Sequence, residues 1–393
     1  MIEKVLGIDL GNKTLKLCLG EIESTGESKI LTTLSREISS FKNGEIINEE
    51  EFLNEVVFFI NNFLQNLYHK HKEISIILSF SSSTFNFQKV RPKSLVESKT
   101  IEENDIRKCR HLGRTSLISS SQEIIYEEIS KFYLDGSSTP IRNPLGLEAR
   151  YLEIDMTVIQ IFSGFFIKLK KIFEENKIKI DFFLPNPLGA SWVILDSKSK
   201  ESGSLILDFG FNTLSSAYFY QGSLTSFNVF PFGLENLLND FLNEYSLTIE
   251  DLENFFEEFK KHPHKKTFIK IGKNKISFQN FQKILEKKLI NLFKKNNFLD
   301  YFDKLKSQFP LLGGIYLIGG ILIFPNVNEV FKKILKINVK EGKDLKNELK
   351  EEDFIFLNSW GNIFYFLKSS ERRGFFEEIL SGFKKFFSNL WPF

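Results

Sequence analysis

The chain has 393 residues, 26% of them charged, and a formal net charge of +2. That length accommodates two or more domains, and the near-neutral balance argues against a nucleic-acid-binding body. The only cysteines, Cys18 and Cys109, follow neither a metal-site nor a disulfide spacing, which suits a reducing cytosol.

The chain opens directly on a strand pattern, with no signal peptide expected. Residues 5–21, VLGIDLGNKTLKLCLGE, read as strand, tight turn, strand. Asp9 ends the apolar run, Gly11, Asn12, Lys13 and Thr14 turn, and 15–19 return. An acid at a strand end followed by a glycine-containing turn suits a phosphate and its metal. Glycine lets backbone N–H groups approach phosphate oxygens, and the acid orients waters around Mg²⁺. An ordinary hairpin with a polar turn fits the same letters.

Strand pattern recurs at 30–38, and 49–69 has helical spacing, with Phe52, Val56, Phe59, Ile60 and Phe63 on one face. Residues 75–80 read as a buried strand. His69 with His71, and His262 with His264, have H-x-H spacing but no acidic or thiol partner nearby, so solvated surface histidines are expected. At 81–84 a polar break begins a different texture. A helix start is expected at Thr100 with Glu103 as capping partner, then strands at 123–134 and 148–155 around a turn-rich 135–146. Residues 82–158 read as a small α+β insert. A helix over 157–175 and a strand over 178–184 return to the parent domain.

The second half begins near Pro185. Residues 204–224, SLILDFGFNTLSSAYFYQGSL, repeat the opening pattern: Asp208 ends a strand, Gly210, Asn212 and Thr213 turn, and 217–220 return. The two copies lie roughly 200 residues apart, too far for a solenoid period. They suggest two related halves facing each other across a cleft, each offering one hairpin to a shared polyphosphate. A strand at 227–232 and helix over most of 233–259 follow. The basic stretch 260–275 reads as a solvated loop or a partner site, and 278–293 as an amphipathic helix. The apolar run 311–324 is too short and too glycine-rich to cross a bilayer. Within it IYLIGG runs a strand into Gly319 and Gly320, which would let the backbone pass beneath a flat base, or make a plain strand-to-helix turn.

With these stations in order, the chain resembles the FtsA family of actin-like bacterial cell-division proteins over nearly its whole length. The two hairpins resemble the phosphate motifs of the actin and Hsp70 superfamily, and IYLIGGILIFPN the adenosine motif. NPLGLEARYLEIDMTVI (143–159) and KTIEENDIRKC resemble parts of the FtsA-specific subdomain 1C, an SHS2-type insert. NPLGASWVIL and FPFG resemble connecting segments around the second phosphate motif. The implied fold is α/β: two actin-like lobes with ribonuclease H-like cores, an inserted α+β subdomain and a C-terminal amphipathic helix. The implied layout is subdomain 1A at 1–81 and 159–184, 1C at 82–158, 2A at 185–240 and 312–368, 2B at 241–311, and a linker with a membrane-targeting helix at 369–393.

The resemblance implies nucleotide contacts at Asp9, Gly11, Asn12, Lys13, Asp208, Gly210, Asn212, Thr213, Glu253, Gly319 and Gly320, with ATP and Mg²⁺ as cofactors and the metal held through water by Asp9 and Asp208. Departures from the family pattern bear on activity. Phe211 and Asn212 stand where glycines are usual, Leu214 and Ser215 replace a threonine and an acid, and Ile321 replaces a third glycine. Phe256 falls near a usual lysine. Asn186 stands where some members carry Glu, and an amide cannot take a proton from an attacking water. Weak or absent hydrolysis is therefore expected, with no catalytic residue to name.

At the C-terminus, a helix over 374–393 at about 100° per residue separates two faces. Phe375, Phe376, Ile379, Leu380, Phe383, Phe386, Phe387, Leu390 and Trp391 fall within roughly 0–160°, and the polar residues within roughly 180–340°. Such a helix docks on its own core or on a partner, or lies in a membrane interface. Its terminal place, Trp391, and Arg372, Arg373, Lys384 and Lys385 for anionic lipid favour the membrane. The family tethers to the inner leaflet in this way. The implied role is to self-associate and hold FtsZ filaments, with other divisome proteins, at the cytoplasmic face of the inner membrane at the division site, with no nucleic acid involved. In the family, subdomain 2B receives the FtsZ tail. Two rivals share the superfamily: a PilM-like scaffold of pilus assembly, and an ATPase or small-molecule kinase.

Overall fold

The two acid–glycine segments fold as antiparallel hairpins. Glu3–Leu10 pairs with Thr14–Ile22, which pairs with Ser28–Glu37; Ser75–Phe80 then lies parallel to the first strand, and Phe182–Pro185 parallel to that. Ser204–Phe209 pairs with Leu214–Tyr220, which pairs with Ser223–Phe230; Gly314–Ile318 lies parallel to Ser204–Phe209, and Val339–Glu341 beyond it. Both are five-stranded sheets with one connectivity, a three-strand meander followed by two parallel strands. The computed structural model describes residues 3–23, 28–68, 74–245, 248, 250–251, 254, 258, 268–271, 274–343, 345 and 347–367. The four histidines in H-x-H pairs, Glu253, Phe256, much of the basic stretch and the C-terminal tail lie outside them.

The central strands are buried on both faces, as parallel neighbours covered by helices require. Val5, Leu6, Ile8 and Leu10 are fully buried, and so are Leu205, Ile206 and Leu207. Lobe two packs its sheet with Phe209, Phe232, Phe293, Phe298 and Phe331, whose rings meet edge-on or tilted at 4.7–6.5 Å. Such pairs add about 0.5–1.5 kcal/mol each beyond their burial, so much of the phenylalanine in this chain is core.

A third sheet stands between residues 86 and 162. Tyr151–Phe162 pairs antiparallel with Asn86–Val90, Lys93–Leu95 and Gln122–Leu134. Helix Glu103–Thr115 lies on it through Ile106 and Cys109, over Leu152, Ile154 and Met156. Two expectations shift here. The helix begins at Glu103 with Glu102 at its cap and Asp105 returning the capping bond, not with Thr100 and Glu103. Residues 157–162 are strand, and the helix is Ser163–Glu175. Their apolar run is ambiguous in period, and pairing with Gln122–Leu134 decides it.

A helix over 357–367 joins the two lobes. Trp360 is fully buried against Phe364 and packs beside Gly20. Asn362 Nδ2 donates to the Ile8 carbonyl at 3.0 Å and to Ser79 Oγ at 2.9 Å. Gly361 lies directly on the Gly189 carbonyl, where no Cβ fits. The two chain crossings between lobes thus touch backbone to backbone under the cleft. Among the described residues no helix is long and apolar enough to cross a membrane.

Candidate functional site

Asp9 and Asp208 occupy equivalent places, each one residue before the end of its strand. Each is followed by the same turn: Gly11 N donates to the Thr14 carbonyl at 3.2 Å, and Gly210 N to the Thr213 carbonyl at 2.8 Å. No residue of either turn is left-handed. The glycines therefore serve close approach rather than a special φ; a Cβ on Gly11 would lie 2.7 Å from the Thr14 carbonyl. Phe211 therefore carries no left-handed strain and differs from a glycine there only in bulk.

The turns meet. Asn12 Nδ2 donates to Thr213 Oγ1 at 3.4 Å, and Lys13 Nζ stands 5.3 Å from the Phe211 ring centroid. Asn12 Oδ1 also accepts from Asn43 N at 2.7 Å. Lys42 in lobe one pairs with Glu235 in lobe two at 3.0 Å, and Glu235 accepts from Asn212 Nδ2 at 2.5 Å. Deeper in the cleft, Ser81 Oγ and Ser215 Oγ are 2.9 Å apart. The second turn is also tied to helix Leu234–Tyr245: Leu234 N donates to the Gly210 carbonyl at 2.9 Å and Glu235 N to that of Phe211 at 2.8 Å.

Beneath the turns the two acids are buried, Asp9 at 2% and Asp208 at 7% exposure. Asp9 has two donors, Lys16 Nζ at 2.9 Å and Asn186 Nδ2 at 2.7 Å. Asp208 accepts from Asn358 Nδ2 at 2.8 Å. Burial pushes the Asp208 carboxyl up to about 6, and the Asp9 charge adds to this across the cleft. Two buried amide oxygens beside them, Asn186 Oδ1 and Asn358 Oδ1, accept no hydrogen bond. An acid pair flanked by unused acceptors suits a hydrated cation, whose waters donate to both kinds of oxygen.

Gly319 closes this floor. It has φ +91°, and a Cβ there would lie 2.6 Å from Asp208 Oδ1 and from the Phe209 carbonyl. Gly320 begins the short helix Gly320–Ile323, and Ile321 is fully buried in the lobe-two core. Glu253 lies outside the described residues. Sequence reasoning missed Lys16, Asn358 and Glu235. Lys16 stands opposite Asp9 in the hairpin register, as Ser215 stands opposite Asp208, so strand pairing alone could have found it.

The insert matches the family model described as the SHS2 domain inserted in FTSA, over residues 83–160. The cell division protein FtsA of Buchnera aphidicola subsp. Schizaphis graminum is 22% identical, covering 98% of this chain and 98% of that protein. The chain is thus similar to the FtsA family over nearly its whole length. The FtsA proteins of Borreliella burgdorferi and Bacillus subtilis are 21% and 22% identical, covering 92% and 86% of this chain and 90% and 78% of their own lengths. These relatives are cell division proteins, and the likeness runs over most of both chains. Solved structures agree on the fold. The PilM–PilN type IV pilus biogenesis complex matches with TM-score 0.58, 12% identity and 91% and 96% coverage. MreB5 of Spiroplasma citri bound to ADP matches with TM-score 0.51, 13% identity and 94% and 98% coverage.

Proposed function

We propose that this FtsA relative binds ATP with Mg²⁺ between its lobes, self-associates, and holds FtsZ filaments to the cytoplasmic membrane with weak or no hydrolysis. The observation that carries the reading is the meeting of two equivalent hairpins, Asn12 on Thr213, above a buried pair of acids. Asp9 and Asp208 orient metal-bound waters, with Asn186 Oδ1 and Asn358 Oδ1 as further acceptors. Lys13 and Lys16 balance phosphate charge, and the turns around Gly11, Asn12, Gly210, Asn212 and Thr213 flank the phosphates. Gly319, Gly320 and Glu253 serve the adenosine. The bound cation supplies charge neutralisation for the phosphates. Asn186 can position water but cannot take its proton, which supports slow turnover.

In this reading 1–81 with 159–184 is subdomain 1A, 82–158 is 1C, 185–240 with 312–368 is 2A, and 241–311 is the FtsZ-receiving 2B. Residues 369–393 are the tether, with Phe375, Phe376, Ile379, Leu380, Phe383, Phe386, Phe387, Leu390 and Trp391 entering anionic lipid. One such helix binds reversibly, so self-association strengthens attachment through avidity.

Calorimetry with ATP, ADP and Mg²⁺ tests the cleft, and binding without steady phosphate release is expected. Sustained release would revive the ATPase or kinase alternative. Flotation with anionic liposomes is expected to fail after deletion of 374–393; unchanged flotation would overturn the tether. Recovery of pilus proteins rather than FtsZ in a pull-down would favour the PilM-like scaffold.

A further inference from the structure

A cavity of about 440 Å³ lies away from the cleft, where the insert sheet meets the hairpin turn after Tyr220. Its lining includes the apolar side chains of Met156, Leu224 and Phe309. The same lining carries Lys89, Arg91 and Lys131 against one acid, Asp155. These charges are unequally matched. Arg91 grips Asp155 with two hydrogen bonds, at 2.6 and 3.0 Å, and stacks over Tyr133. Asp155 also accepts from the Tyr133 hydroxyl at 2.9 Å.

Lys131 ends on a neutral group, the Gln221 side-chain oxygen. Among the described residues Lys89 has no carboxylate within bonding reach, and its ammonium stands 6.0 Å from the Phe309 ring centroid. Burial lowers the Lys89 pKa; the Asp155 charge opposes this, and the Lys131 charge adds a smaller lowering. Two ammonium groups that repel each other beside apolar side chains are stabilised by an anion placed between them.

The walls are firmly set. Thr157 Oγ1 donates to the Leu224 carbonyl at 3.2 Å, joining insert to lobe two. The turn at Gln221 (φ 52°) and Gly222 (φ 80°) has both residues left-handed, the two-residue form that suits hairpins. It is anchored by Gln221 N on the Glu201 carbonyl at 3.1 Å and Gly222 N on that of Lys200 at 3.2 Å. The volume falls in the range of small-ligand sites and exceeds what a bare inorganic anion fills.

We propose that this junction cavity binds a small organic anion, with its phosphate or carboxylate between Lys89 and Lys131 and its apolar body over Met156, Leu224 and Phe309. Because its walls come from the insert and from the second lobe, occupancy ties the two together.

The full chain is titrated by calorimetry with phenyl phosphate, benzoate, inorganic phosphate and phenol. Phenyl phosphate or benzoate is expected to bind at least tenfold more tightly than either fragment. The double variant Lys89→Gln/Lys131→Gln, whose melting temperature without ligand should be unchanged, is expected to lose at least tenfold in affinity. Amide exchange at 220–225 is expected to slow when the better ligand saturates. The stronger of phenyl phosphate and benzoate identifies the head group. Inorganic phosphate binding as tightly as both, phenol binding as tightly as both, or undiminished affinity in the double variant would each overturn the site.

Discussion

Asn12 and Thr213, 201 residues apart in sequence, hydrogen-bond across the cleft at 3.4 Å. The contact joins two turns of the same construction, each leaving a strand one residue past a buried aspartate. It places Asp9 and Asp208 under a common roof, where the Asp9 charge bears on Asp208.

The raised Asp208 carboxyl predicts a pH dependence. Asp208 rises from 3.8 to about 6, mainly through burial and secondarily through Asp9. The folded state therefore holds this proton more tightly than the unfolded chain, and stability falls as pH rises from about 4 to about 6, then levels. The full shift corresponds to about 3 kcal/mol. Urea unfolding in a chelator should show Asp208→Asn gaining up to about 3 kcal/mol over wild type above pH 6, and little near pH 4. A difference that stays constant across this range would refute the raised Asp208 carboxyl.

Lys16 is the ammonium partner of Asp9, at 2.9 Å with side-chain exposures of 19% and 2%. Lys16→Met leaves the carboxylate buried with only the Asn186 amide, an expected cost of about 3 kcal/mol. Adding Asp9→Asn should recover most of that loss. Denaturant midpoints of both singles and the double decide it, and purely additive losses would show that the pair is not coupled.

Gly361 has no room for a side chain where it meets the Gly189 carbonyl. Gly361→Ala should push the two chain crossings apart, at an expected cost above about 2 kcal/mol. Calorimetric melting and small-angle scattering would report a lower midpoint and a larger radius of gyration. An unchanged midpoint would mean that the crossing is not tightly packed.

Phe211 stands in the second turn, packed against the lobe-two core with Lys13 over its ring. Removing the ring opens space and frees Lys13 from a contact worth about 0.5–1 kcal/mol. Phe211→Gly should tighten ATP binding at least threefold by calorimetry. Equal affinity would place the ring clear of the phosphates.

The duplicated hairpins, the strands around Gly319 and the composite insert were readable because a strand or helix announces itself through local periodicity and turn chemistry. Where the period was ambiguous, as at 157–162, pairing with a strand distant in sequence made the choice. The residues around the acids were less readable. Asn186 reaches Asp9 across 177 positions, and Asn358 reaches Asp208 across 150.

The amino-acid order alone determined that this chain carries one acid-then-glycine hairpin twice, each on an actin-like half. Only the folded arrangement decided that Asn186 serves Asp9, that Asn358 serves Asp208, and that Lys89 and Lys131 share a cavity. A strand's pattern reports which face is buried, whereas neighbours across a cleft depend on how whole sheets and crossing helices pack, which no local window contains.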